Sequence, residues 1–169
     1  MKKIAVLLVI VLASAFVFAG CGSGTTIDTG DGKISIDEEG GKVKLQSSGG
    51  DSEIAVDTGS GVSLPKGYPD DVLPVYKGGK IVMSSRNKAN SGDGYTYSVS
   101  FTSKKDPATI YEYYKDIMKN SEQLGDFASN GTYSISGKKD GSDISILIMS
   151  SEEDKNQPTM AILSVTAAK

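Results

Sequence analysis

The sequence predicts an α+β fold: an antiparallel sheet of about five strands in the order ββαβββ, one helix packed on one face, and a short β-rich Gly/Asp/Ser segment ahead of it. Three observations carry this. The stretch YTYSVSFT alternates aromatic and apolar residues with Ser and Thr, which is the period of a strand with one buried face. Asp106-Pro107 opens a run whose apolar residues recur at helical spacing. Asp140-Gly141 separates two further alternating runs, as the turn of a hairpin does.

Residues 27–63 are rich in Gly, Ser and Asp and carry short apolar pairs two residues apart: Ile34/Ile36, Val43/Leu45 and Ile54/Val56. GDGKISID at 30–37 and GDSEIAVD at 50–57 repeat one pattern at a spacing of 20 residues, with GKVKL between them. Each strand offers two apolar side chains to a face, so this part reads as a small meander or a few solenoid-like rungs. From residue 64 the composition changes. Pro65, Pro69 and Pro74 make an extended segment leading into a strand at 80–85. Tyr95, Tyr97, Val99 and Phe101 give the next strand its apolar face. In the helix Asp106 is the N-cap, Pro107 the first residue, and Ile110, Tyr113 or Tyr114, Ile117 and Met118 the buried stripe, with an end near Gln123 and Gly125 closing it. Strands at 132–137, 143–150 and 159–166 complete the domain. The short links suit antiparallel pairing.

The N-terminus reads as an address. Lys2 and Lys3 precede 16 apolar and small residues, 4–19, broken only by Ser14. That is short for a bilayer span, which takes about 20 residues, and right for a signal peptide. It ends Phe18-Ala19-Gly20-Cys21, similar to the lipobox of bacterial lipoproteins, with Phe18 where Leu is usual. The resemblance implies cleavage by signal peptidase II between Gly20 and Cys21 and a diacylglycerol on Cys21, the only cysteine in the chain. Residues 1–20 are then the signal peptide, 21–26 the lipidated cysteine and a flexible tether, 27–63 a β-rich spacer, and 64–169 the α+β domain. Two or three acyl chains hold a protein at a membrane durably where one does not.

Residues 64–169 also resemble a recurring group of small uncharacterised bacterial lipoproteins. The resemblance rests on LPKGYPDDVLPVYKGGKI, the Tyr-rich strand, the Asp-Pro helix with YEYYKDIM and the C-terminal strands. It implies an extracytoplasmic domain and transfers no catalytic residue.

Without residues 1–20 the chain has 149 residues, 16 of them basic and 21 acidic, for a net charge of −5. Nothing there suggests nucleic acid. The sole cysteine leaves no disulfide, and the absence of histidine removes the commonest general base and metal ligand.

Several short motifs suggest chemistry. Asp-Thr-Gly occurs at Asp28-Thr29-Gly30 and at Asp57-Thr58-Gly59, as on the catalytic loops of aspartic proteases. Two such carboxylates must share a proton, and each needs a lobe around it. These lie 29 residues apart, and Asp28 comes only seven residues after Cys21. Residues 27–38 align with a twelve-residue calcium loop, with Asp31 fifth, Gly32 sixth, Ile34 eighth and Glu38 twelfth, but Ile27 and Thr29 stand where acidic ligands belong. The expectation is no cofactor, with weak Ca2+ ligation by Asp28, Asp31, Asp37, Glu38 and Glu39 as the alternative. The leading reading is that Asp-Thr-Gly and Asp-Gly are turns, and the internal repeat accounts for the tripeptide occurring twice.

Ser85-x-x-Lys88 has the spacing of a Ser-Lys hydrolase without its companion motifs. The tyrosines fall at strand and helix positions that pack before they bind sugar. The acidic run Ser151-Glu152-Glu153-Asp154-Lys155 reads as a solvated hairpin loop. A solute-binding lipoprotein needs two lobes and about twice this length. The functional expectation is a membrane-anchored extracytoplasmic lipoprotein that is not an enzyme. It binds an envelope protein or wall polymer through the sheet face opposite the helix or through the polar loops at 86–94 and 150–158. A hydrolase using the Asp-Thr-Gly carboxylates or Ser-Lys is the rival.

Overall fold

The computed structural model describes residues 25–30, 32–37, 42–47, 52–57, 61–89, 94–150 and 157–167. They form one ten-stranded antiparallel sheet and one helix. The strands are β1 (Thr25–Asp28), β2 (Gly32–Asp37), β3 (Lys42–Ser47), β4 (Ser52–Asp57), β5 (Lys80–Lys88), β6 (Tyr95–Ser103), β7 (Glu122–Ser129), β8 (Thr132–Lys139), β9 (Ser142–Met149) and β10 (Thr159–Ala167). The helix α1 spans Pro107–Met118. The sheet order is β1-β2-β3-β4-β5-β6-β10-β9-β8-β7. From β6 the chain passes through α1 to the far edge at β7. It then fills the sheet back towards β6, so β10 lies between β6 and β9.

This corrects the expected α+β fold with a sheet of about five strands. The structure is mostly β, and its sheet has ten strands. Two differences account for the count. First, the segment before residue 64 contributes four strands to the same sheet, because β4 pairs along β5 from Ser52 opposite Asn87 to Val56 opposite Met83. A strand edge carries unpaired backbone groups whatever its side chains are, so periodicity does not reveal which strands join. Second, residues 122–129 form an edge strand where the helix was expected to run to Gln123. Their side chains are exposed throughout, so EQLGDFAS shows no alternation to read. The helix stops at Met118, and the Ser121 amide donates to the Met118 carbonyl at 2.9 Å.

α1 begins as its sequence dictates. The Asp106 carboxylate accepts from the Ala108 amide at 2.8 Å, and Pro107 loses no helical hydrogen bond at the first position. Its buried stripe, Ile110, Tyr111, Tyr114 and Met118, packs on β8 and β9. The core beneath it is Val99 and Phe101 of β6, Leu163 and Val165 of β10, Ile144, Ile146 and Ile148 of β9, and Ile135 of β8.

Residues 64–79 cover the neighbouring part of this face and are tied down by tyrosines. The Tyr68 hydroxyl donates to the Leu73 carbonyl at 2.7 Å. The Tyr114 hydroxyl donates to the Pro74 carbonyl at 3.0 Å and accepts from the Tyr76 amide at 3.0 Å. Burial pushes both phenols well above their ordinary range, with the Asp70 charge adding to the rise at Tyr68. They act here as neutral partners for backbone groups.

Gly79 packs against this core. A Cβ there would stand 2.6 Å from Phe101 Cδ2 and 3.0 Å from the Tyr76 carbonyl oxygen. No apolar side chain of β1–β4 is buried among the described residues, and the core contains none of them.

Candidate functional site

The register places the apolar residues of the two halves of the sheet on opposite faces. In β6, β10, β9 and β8 they face α1: Phe101 pairs Ala161, Leu163 pairs Val99 and Ile146, and Ile135 pairs Ile146. In β1–β4 they face the other way. Ile54 pairs Ser85 and Val56 pairs Met83, which pairs Ser100. These positions alternate with the core-facing Ser84 and Val99. The changeover falls on β5, where an irregularity between Ile81 and Met83 sets Ile81 opposite core-facing Phe101 and Met83 opposite outward-facing Ser100. One extra residue in a strand reverses the facing of every residue after it.

The result is an open face with an apolar stripe. One row of directly paired positions runs Ile36, Val43 and Val56 through the meander and Met83 on β5. It continues through Ser100 to Ile162 and Leu147, then through Ser134 to Phe127 on the edge. The neighbouring row starts Ile27, Ile34, Leu45 and Ile54. It then becomes a ladder of serines: Ser85, Ser98, Ser164, Ser145 and Ser136.

Of the seven large apolar side chains exposed among the described residues, six lie on this face: Ile27, Leu45, Val56, Met83, Phe127 and Met160. Phe127 is the most exposed, at 56%. Ile34, Leu45 and Ile54 border a shallow groove of about 240 Å³.

Charge is segregated to the helix-side face of the meander. Asp28 pairs Lys33, Gln46 pairs Glu53, and Lys44 Nζ meets Glu53 Oε1 at 2.7 Å. The open face of β1–β4 has no charged position. Further along it Lys138 and Asp143 cancel in an ion pair at 3.3 Å. A second feature lies at one end of the sheet, where Lys77, Lys80, Lys104 and Lys105 border an open cleft of about 430 Å³ with Thr102 and Ser103.

The residues singled out from sequence do not converge. Gly20, Cys21, Asp31, Glu38 and Glu39 lie outside the described residues, as do the side chain of Asp37 and the acidic run at 151–155. Asp28 caps the β1–β2 turn: its carboxylate accepts from the Gly30 amide at 3.0 Å, and the Thr29 amide donates to the Gly32 carbonyl at 2.9 Å. Asp57 closes the end of β4. Its carboxylate accepts from the Gly61 amide and meets Lys80 Nζ at 2.8 Å. The two aspartates stand three strands apart and four residues out of register, roughly 19 Å, whereas a proton-sharing pair stands about 3 Å apart. Within that range Ile27–Asp28 end β1 and Gly32–Asp37 form β2, paired with each other rather than open as a twelve-residue loop. No group of three or more acidic residues gathers as a metal site among the described residues. Ser85 faces the open side and Lys88 the helix side of β5, so they do not meet.

One cluster had no signal in the sequence beyond helical spacing. Tyr111 and Lys115 on α1 reach Asp126 on β7. The Tyr111 hydroxyl donates to Asp126 Oδ2 at 3.0 Å, and Lys115 Nζ lies 3.0 Å from the same oxygen. Hydrogen bonds from Lys115 and then Tyr111 hold the Asp126 carboxyl below its usual range. The bonds with Asp126 and Tyr111 raise Lys115. The cluster fastens the edge strand to the helix.

Compared with protein-family models, with curated proteins and with solved structures, the chain matches none.

Proposed function

We propose that the protein is a lipoprotein of the cell envelope. It is held on the extracytoplasmic face of the membrane through Cys21 and works as a binding module rather than an enzyme. The observation that carries the binding role is the open face: an apolar row from Ile36 on β2 to Phe127 on β7, interrupted at Ser100 and Ser134, with six large apolar side chains exposed on the same face. Large apolar side chains clustered on one exposed face, rather than scattered singly, mark surfaces that a partner covers. The anchor rests on the sequence alone, on the lipobox-like Ala19-Gly20-Cys21 after an apolar stretch.

The favoured partner is a protein surface rather than a wall polymer. All eight tyrosines lie on the helix side of the sheet, in α1 or in residues 64–79, and the chain has no tryptophan, so Phe127 at the edge is the one aromatic ring on the open face among the described residues, too few for a sugar-stacking platform. Metabolic labelling with a clickable fatty acid tests the anchor. Wild-type protein takes up label and stays in the membrane fraction, and Cys21→Ala does neither. Unlabelled wild type in the soluble fraction overturns the reading.

A further inference from the structure

We propose that the partner covering the open face is a second copy of the same chain, stacked sheet to sheet. The inference rests on reading that face as a binding surface and names its occupant.

Charge is the first argument. From Cys21 onward the chain carries a net charge of −5, 16 basic against 21 acidic residues, so two copies repel over most of their surface. The open face of β1–β4 has no charged position, and the Lys138–Asp143 pair further along is neutral as a pair. The other charged positions of the open face lie towards its ends, Lys80 in an ion pair with Asp57 and Glu122 opposite Lys138, so two copies can meet over the apolar residues of β1–β4 without burying a charge, whereas the helix-side face of the meander carries Asp28, Lys33, Lys44 and Glu53.

Size is the second. Ten strands at about 4.8 Å spacing, with five to six paired residues at about 3.3 Å each, give a face of roughly 800 Å². A standard protein interface takes about 800 Å² from each partner. The layout also fits one, with an apolar stripe flanked by neutral Ser and Thr.

The sheet edges are guarded, which favours face over edge. β1 has only four residues, and β7 carries Glu122 and Asp126 with an irregular register between Glu122 and Gly125. A lipid surface fits less well. The open face lacks the Tyr and Trp that settle at a bilayer interface, and the cleft lysines gather at one end of the sheet, around Thr102, rather than beside the exposed apolar residues of β1–β4.

The test uses the full chain in cells, made in two differently tagged forms. A photo-reactive benzoylphenylalanine is placed at position 56 or 147 on the open face, or at 44 or 112 on the helix side. Illumination is expected to join the two tags from 56 and 147 at least tenfold more than from 44 and 112. Val56→Lys, combined with the reporter at 147, is expected to cut that yield at least tenfold while leaving the circular dichroism unchanged. No joined tags from 56 or 147, equal yield from the two faces, or adducts with lipid or with another protein alone overturns the proposal. The comparison of the two faces stands even where Val56→Lys fails to fold. A parallel set carries Cys21→Ala. Release of that variant from the membrane reports on the anchor alone. Joined tags in the released protein show that pairing needs no membrane, so either reading can fail without the other.

Discussion

Tyr114→Phe tests whether residues 64–79 are held down by hydroxyl-to-backbone bonds or by apolar contact alone. The ring is fully buried, and its hydroxyl serves two backbone groups, the Pro74 carbonyl and the Tyr76 amide. Phenylalanine keeps the ring and removes both bonds. Both backbone groups are partly buried, so leaving each unpaired costs towards the lower end of about 1–3 kcal/mol. Part of that is returned because no hydroxyl has to be desolvated, so a net loss of about 2 kcal/mol is expected. For a chain of this size that lowers the melting temperature by roughly 4–8 °C. Tyr68→Phe removes one bond, to the Leu73 carbonyl, and should cost about half as much. Thermal unfolding by circular dichroism reads both. Amide exchange should locate the loosening in residues 64–79 and spare β9 and β10. A Tyr114→Phe protein melting within about 1 °C of wild type, or a larger loss from Tyr68→Phe, refutes the reasoning.

Two other perturbations have expected outcomes. Gly79→Ala places a Cβ 2.6 Å from the Phe101 ring and 3.0 Å from the Tyr76 carbonyl oxygen, so one of them must move. A loss of about 1–3 kcal/mol is expected in denaturant titrations, and neutrality would mean the turn yields freely. The Asp126 cluster sets a pH dependence. Asp126 is lowered in the folded state, so its contribution is present above the unfolded carboxyl value and is lost as pH falls through the lowered one. Lys115 is raised, so its contribution holds below the unfolded lysine value and is lost as pH rises through the raised one. The cluster is therefore complete between these limits. Asp126→Asn should flatten the acid-side decline of the melting temperature, and an unchanged acid limb would show that the bonds add nothing in water.

The candidate face was half legible. The apolar pairs Ile34/Ile36, Val43/Leu45 and Ile54/Val56 announced strands with one apolar side, and a period of two is enough for that. Which side that would be relative to the core was not legible. Facing depends on register with β5, and one irregularity between Ile81 and Met83 reverses it. Strand β7 was hidden because an edge strand exposed on both faces needs no alternation. The Asp-Thr-Gly repeat is more telling in the opposite sense. Asp28 and Asp57 each bond a backbone amide near a turn, the ordinary work of Asp beside Gly.

The sequence by itself determined the local elements: the N-cap and proline of α1, the stripe that buries Ile110, Tyr114 and Met118, the hairpin at Asp140-Gly141 and, of the strands after the helix, β8, β9 and β10. These depend on neighbours within a few residues, whose geometry the chain fixes directly. Only the tertiary structure decided that β4 pairs with β5, that the sheet therefore has ten strands, and that the meander turns its apolar side away from the core. Those outcomes rest on backbone hydrogen bonds between distant segments. Any strand edge offers such bonds, and side-chain pattern does not choose among them.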